Sequence, residues 1–160
     1  MSKKLFGTSG IRGDIIEKTN VELSLNLGRS LGTYLEGKGT VGVGTDYRTS
    51  NVMLRDAFVS GVVSTGTNLI DLGIAPMPAV GSHSAFPEID VSVIITASHN
   101  PPTDNGFKFF ANGREFVRSE EEKIEDRVFD RKFRIAEWMN IGSVTHWSIR
   151  THYLDMLKIN

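Results

Sequence analysis

The sequence predicts an α/β fold, a three-layer α/β/α sandwich around a mixed, mostly parallel sheet. Three observations carry this expectation. Helical and extended segments alternate along most of the chain, and glycines and prolines punctuate them. The run Val91-Ser92-Val93-Ile94-Ile95 is dominated by β-branched residues and is expected to be a central strand buried on both faces. A length of 160 residues suits one domain, with 39% hydrophobic residues for a core and 16 glycines for turns.

Each element follows from a local signal. Thr19-Asn20-Val21-Glu22 has the form of a capping box, and Leu23, Leu27, Leu31 and Tyr34 follow at helical spacing until Gly37. Thr40–Thr45 is expected to be a strand whose glycines allow close packing. Ser50 or Asn51 caps a second helix, with Leu54, Phe58 and Val62 on its inner face, Val59 and Val63 widening it, and Gly66 ending it. Asn68–Ile74 is a further extended run, 78–86 a short helix, and 91–97 the central strand. This β-α-β-α-β order implies right-handed crossovers with helices on both faces of the sheet. Gly106-Phe107-Lys108-Phe109-Phe110 is expected to return as an antiparallel edge strand, and Asn112-Gly113 marks the next turn. Ser119-Glu120-Glu121-Glu122 opens a charged helix to about Arg131, with Ile124 and Val128 inside, its acidic run taken as a solvated helix start. Ile149–Lys158 is helical in pattern. We expect residues 1–146 to form the domain and 147–160 to be a terminal helix or linker.

Composition excludes several classes. Eighteen basic residues against 19 acidic, with no basic cluster interleaved with aromatics, leave no footprint for nucleic acid. The absence of cysteine excludes disulfides and thiolate metal sites and agrees with a reducing compartment. Residues 1–7 lack the apolar stretch of a signal peptide and no run reaches membrane-spanning length, so a cytoplasmic location without a membrane partner is expected.

The chemistry centres on Thr96-Ala97-Ser98-His99-Asn100-Pro101-Pro102, where a hydroxyl stands at the point at which the central strand meets two prolines. Ligands of open α/β sheets gather outside the carboxyl ends of the strands, so Ser98 is well placed to meet one. A hydrolase would need a base and an orienting acid. No G-x-S-x-G elbow surrounds Ser98, and His99 would point to the opposite side if both residues continued the strand. Two glycine patterns are decoys. The G-x-G-x-x-G of residues 37–42 leads into a strand instead of following one, and 32–39 carries Gly39 where a Walker A loop needs Ser or Thr.

The remaining conspicuous residues suit phosphate. Phe6-Gly7-Thr8-Ser9-Gly10-Ile11-Arg12-Gly13 offers the hydroxyls of Thr8 and Ser9, three glycines and Arg12 in eight residues. Arg48, at the end of the 40–45 strand, adds a second guanidinium, and Lys108 a mobile cation. The structural alternative is that Arg12 and Arg48 make salt bridges and the glycines only serve turns.

Taken together, the 96–101 run, Asp104-Asn105-Gly106-Phe107-Lys108 behind it and residues 6–13 ahead of it resemble the first domain of the α-D-phosphohexomutases, which include phosphoglucomutase, phosphomannomutase and phosphoglucosamine mutase. The three motifs occur in the family's order, and the resemblance implies the phosphoglucomutase first-domain fold. It also implies that Ser98 is the serine carried as phosphoserine, which explains the missing base: a phosphorylated serine donates its phosphoryl group and needs no triad. Phospho-Ser98 would phosphorylate a hexose 1- or 6-phosphate to a bisphosphate, which reorients and returns its other phosphoryl group. Lys108 and Arg12 match positions beside the transferring group. His99 and Asn100 would shape the serine loop, with Arg48 in support. Mg²⁺ would sit on the Ser98 phosphate oxygen. Hexose phosphate and hexose bisphosphate are the expected ligands.

The sequence also departs from the family's pattern. The family's aspartate-rich metal loop, sugar-reading loop and phosphate-clamping loop belong to three further domains, and no D-x-D-x-D run occurs here. The chain is therefore expected to be a domain fragment, inactive alone, whose partners are the missing domains. Residues 6–13 and Asn105-Gly106-Phe107-Lys108-Phe109-Phe110 lean toward phosphoglucosamine mutase-like members, while the choice among glucose, mannose and glucosamine phosphates stays open. A non-catalytic sugar-phosphate binding module is the competing reading, and a serine esterase a distant third.

Overall fold

A computed structural model describes residues 4–158. The helices are α1 (Val21–Tyr34), α2 (Asn51–Val63), α3 (Met77–His83), α4 (Arg118–Asp130) and α5 (Ile149–Lys158). The strands are β1 (Ile11–Asp14), β2 (Thr40–Thr45), β3 (Asn68–Ile74), β4 (Val91–Ile95), β5 (Asp104–Ala111), β6 (Arg114–Glu115) and β7 (Val144–His146). They form one sheet in the order β1-β5-β4-β2-β3-β7, with β6 hairpinned onto β5. The β4-β2-β3-β7 half is parallel, and β5 joins it antiparallel to β4. The fold is therefore the three-layer α/β sandwich expected, with a mixed sheet.

Strand alternation sorts the core into two layers. Val91, Val93 and Ile95 of β4 and Phe107 and Phe109 of β5 pack with Leu27, Leu31, Leu54, Phe58, Ile124 and Val128 of α1, α2 and α4. Ile94 and Phe110 face the other way, onto Ala79 and Val80 of α3 and Ile149 of α5. The predicted inner stripes of α1, α2 and α4 are thus in place. α1 and α2 touch backbone to backbone: a Cβ on Gly28 would lie 2.2 Å from the Phe58 carbonyl oxygen, and one on Gly61 2.3 Å from that of Leu25. The decoy glycines serve the same packing, Gly32 lying inside α1 against Thr65 and 37–39 forming the turn into β2.

Several expectations are corrected. The 106–110 segment is an interior strand, because β1 covers its outer side with Arg12 opposite Gly106. The cap of α1 is Asn20, whose Oδ1 accepts the Leu23 N–H at 2.9 Å, whereas the buried Thr19 hydroxyl donates to the Gly13 carbonyl. α4 starts before Ser119: Val117 precedes it and donates its N–H to the Glu120 carboxylate. Ser50 precedes α2 without capping it through its side chain. Ser50 Oγ and Asn51 Oδ1 instead accept from the buried Asn105 Nδ2, each at 2.8 Å, tying the start of α2 to β5. α3 ends at His83, short of 86.

Candidate functional site

β4 ends at Ile95, and the chain turns so that Ser98 stands exposed beyond the carboxyl rim of the sheet. Ser98 is one of four non-glycine described residues with a positive φ, at +55°, a conformation that costs an L-residue about 1 kcal/mol or more. Surrounding bonds hold it there. The Ser98 N–H donates to Thr96 Oγ1 at 3.0 Å, and the Thr96 hydroxyl donates to Asp46 Oδ2 at 2.6 Å. Arg48 spans the loop, its Nη1 donating to the Pro101 and Asp104 carbonyls and its Nη2 to those of Ser98 and Asn100, at 2.7–3.0 Å. Its Nε lies 3.4 Å from Asp46.

This arrangement assigns Arg48 to the backbone. Both terminal nitrogens of its largely buried guanidinium are engaged with carbonyls, so it fixes the serine loop, the supporting place the resemblance implied for it. Burial would raise the Asp46 carboxyl, but hydrogen bonds from Thr96, the Arg48 N–H and Asn51, with the Arg48 charge, hold it below the usual carboxylate range.

His99 departs from its expectation. Because Ser98 is left-handed instead of extended, strand alternation fails, and His99 Nδ1 comes 3.4 Å from Ser98 Oγ. Asn100 donates to Asp104 Oδ2 at 2.9 Å, and Arg12 Nη1 reaches Asn100 Oδ1 at 3.4 Å. Gly106 makes this approach possible: a Cβ there would stand 2.2 Å from the Ile11 carbonyl oxygen and 3.0 Å from that of Thr96. Ser98, His99, Asn100, Arg12 and Arg48 are thus brought together. An open groove of about 540 Å³ runs along Ser98, Asn100 and Pro102 to Asp46, Tyr47, Arg48 and Thr49.

Thr8 and Lys108 line a second opening of about 210 Å³, beneath the 6–10 loop. The Lys108 side chain is 14% exposed, and its Nζ lies 2.6 Å from Glu115 Oε1. Ser9 is half-buried in the same loop. The loop itself is anchored by Glu125, a buried carboxylate that accepts the N–H groups of Leu5 and Phe6 at 2.7 and 2.8 Å and pairs with Arg118 Nη2 at 2.6 Å.

Sequence reasoning passed over Asp46, Thr96, Glu115 and Glu125 as site residues. Glu115 was within reach, since counting back from the Asn112-Gly113 turn pairs it with Phe110 and sets it diagonal to Lys108. Among the described residues no group of three or more His, Asp or Glu side chains converges to hold a metal ion, and no helix is long and apolar enough to cross a membrane.

Fold and site define a three-layer α/β domain that presents the Ser98 hydroxyl at the carboxyl rim of its sheet. The chain belongs to the phosphoglucomutase/phosphomannomutase family, whose α/β/α domain I matches residues 3–135. It is 43% identical over 155 residues to a probable phosphoglucosamine mutase of Pyrococcus abyssi, covering 96% of this chain and 34% of that protein. It is also 43% identical over 153 residues to a phosphopentomutase of Thermococcus kodakarensis, covering 95% and 33%. A solved structure of a putative phosphomannomutase from Thermus thermophilus superimposes with a TM-score of 0.82 at 27% identity, over 99% of this chain and 36% of that one. The chain thus spans about a third of the length of the curated relatives it matches.

Proposed function

We propose that this chain is the phosphoserine-bearing domain of a cytoplasmic phosphohexomutase that interconverts hexose 1- and 6-phosphates through a bisphosphate. The observation that carries the reading is the state of Ser98. Its N–H and carbonyl are both engaged, its backbone is held at a positive φ, and its hydroxyl is presented to an open groove. Membership of a family of mutases supports the same chemistry.

The transfer balances without a triad. The oxygen of a sugar hydroxyl attacks phosphorus, the bond from phosphorus to Ser98 Oγ breaks, and the net proton movement is from the sugar hydroxyl to Ser98 Oγ. His99 Nδ1, beside that oxygen, is positioned to carry the proton. Arg12 and Lys108 offset charge on the moving group, Thr8 and Ser9 offer hydroxyls to a phosphate, and Asn100 links the serine loop to Arg12.

The side chains around Ser98 do not by themselves make a Mg²⁺ site, since Asp46 is occupied by Thr96, Asn51 and Arg48, and Asp104 by Asn100. Were Mg²⁺ to take part, phospho-Ser98 is the group of this chain that would hold it, with the other ligands supplied by segments outside the chain, and the metal would neutralise charge on the transferring phosphoryl group. The isolated chain is accordingly expected to lack mutase turnover.

The test is intact mass and peptide mapping of the chain before and after incubation with a hexose 1,6-bisphosphate and Mg²⁺. We expect one phosphate, on Ser98, and none in Ser98→Ala. Saturable sugar-phosphate binding with Ser98 left unmodified would replace this reading with that of a binding module.

A further inference from the structure

Lys108 is paired with a residue that no phosphate-handling pattern in the sequence includes. The β5–β6 hairpin places Glu115 opposite Phe110, so that Glu115 and Lys108 are diagonal neighbours on one face, and their charged ends meet at 2.6 Å. The pair is asymmetric. The Lys108 side chain is 14% exposed and its stem lies under Gly10, where a Cβ would come 3.1 Å from Lys108 Cγ, whereas Glu115 is 52% exposed at the mouth of the cleft. A second carboxylate, Glu121 of α4, lines the same cleft and has its own partner, Arg118, at 3.5 Å.

We infer that Glu115 is a displaceable counter-ion, which holds the Lys108 ammonium when no ligand is bound and gives it up to the phosphate group of an arriving sugar phosphate. The inference rests on Lys108 being the cation that meets the phosphoryl group. An ion pair with one partner half in water holds weakly, typically by less than 1 kcal/mol. A phosphate dianion brings twice the charge of a carboxylate and three acceptor oxygens, so it displaces Glu115. Singly charged anions are disfavoured, because they would have to replace one carboxylate while a second lines the cleft. Glu115 is thus a positioning residue that acts through Lys108 and sets a threshold of ligand charge.

Isothermal titration of the 160-residue chain with glucose 1,6-bisphosphate tests this, using Glu115→Gln, Lys108→Ala and the double variant, each checked for an unchanged circular dichroism spectrum. Glu115→Gln is expected to tighten binding roughly three-fold, the order of a weak ion pair. Lys108→Ala should weaken it, Glu115→Gln should have no effect in the Lys108→Ala background, and Glu115→Asp should stay close to the original chain. Unchanged or weaker binding by Glu115→Gln, or equal tightening in both backgrounds, overturns the inference and leaves the role of Lys108 standing. Binding unaffected by Lys108→Ala overturns the role of Lys108 itself, and with it the premise. No binding by any variant overturns both.

Discussion

Ser98 and Lys108 are held in opposite ways. Ser98 is fixed through its backbone: its N–H and carbonyl are engaged, its φ is forced positive, and only the hydroxyl is left at the groove. Lys108 sits on a regular strand with an unremarkable backbone and is fixed through its charge, by one half-exposed carboxylate. The contrast matches what each would have to do. A nucleophile gains from a single preset position, whereas a cation that follows a moving phosphoryl group gains from a hold that is easily broken.

The strongest way to break the comparison is at the seam between the two regions, Gly106, which lies between the Ile11 and Thr96 carbonyls. Gly106→Ala forces a Cβ against two backbone oxygens that have no rotamer to change. We expect a loss of stability of about 3 kcal/mol, and loss of hydrogen-exchange protection in β1 before β2 and β4. Equal loss of protection across all three strands would show that the seam is not where the strain falls.

Next comes the serine loop itself. Arg48→Met removes four donated hydrogen bonds and leaves the loop carbonyls without their clamp. A stability loss of about 2–3 kcal/mol is expected from urea unfolding, together with slower labelling of Ser98. Arg48→Lys should rescue little, because an ammonium cannot reproduce a planar fork spanning both sides of the loop. Full rescue by lysine would mean that charge, not geometry, sets the conformation of Ser98.

What the sequence revealed follows the same division. The parallel half was legible because its signals are local: a β-branched run for β4, short extended runs bounded by glycines for β2 and β3, apolar stripes for α1 and α2, and a serine where β4 meets proline. β1 was not, since only Ile11 of Ile11–Asp14 is buried and the strand exists by pairing with β5. β7 is three exposed residues laid against β3, with no apolar alternation to announce it. At the site, the residue types were legible and their contacts were not. Strand parity put His99 away from Ser98, and a single positive φ reversed that. Nothing local to Arg48 shows that four carbonyls curl around its guanidinium. The anchor of the 6–10 loop, Glu125, lies 119 residues from Phe6.

That anchor gives the smallest effect and a defined pH dependence. Burial would push the Glu125 carboxyl up, but Arg118 and the N–H groups of Phe6 and Leu5 outweigh it and hold the group below its ordinary value of 4.5. A carboxyl depressed in the folded state binds protons more readily when unfolded, so its stabilisation is complete above pH 4.5 and is lost as pH falls through the lower folded value. In Glu125→Gln the amide oxygen still accepts from Leu5 and Phe6, while the amide nitrogen faces the Arg118 guanidinium donor to donor. At pH 7 this variant is expected to be less stable by about 1 kcal/mol, and its urea midpoint should fall less steeply than that of the original chain below pH 4.5. Because Glu125 holds the loop that covers Lys108 and leaves the Arg48 clamp untouched, the substitution should alter bisphosphate binding while Ser98 keeps its conformation. A change in the Ser98 loop of comparable size would show that the two regions are not held independently.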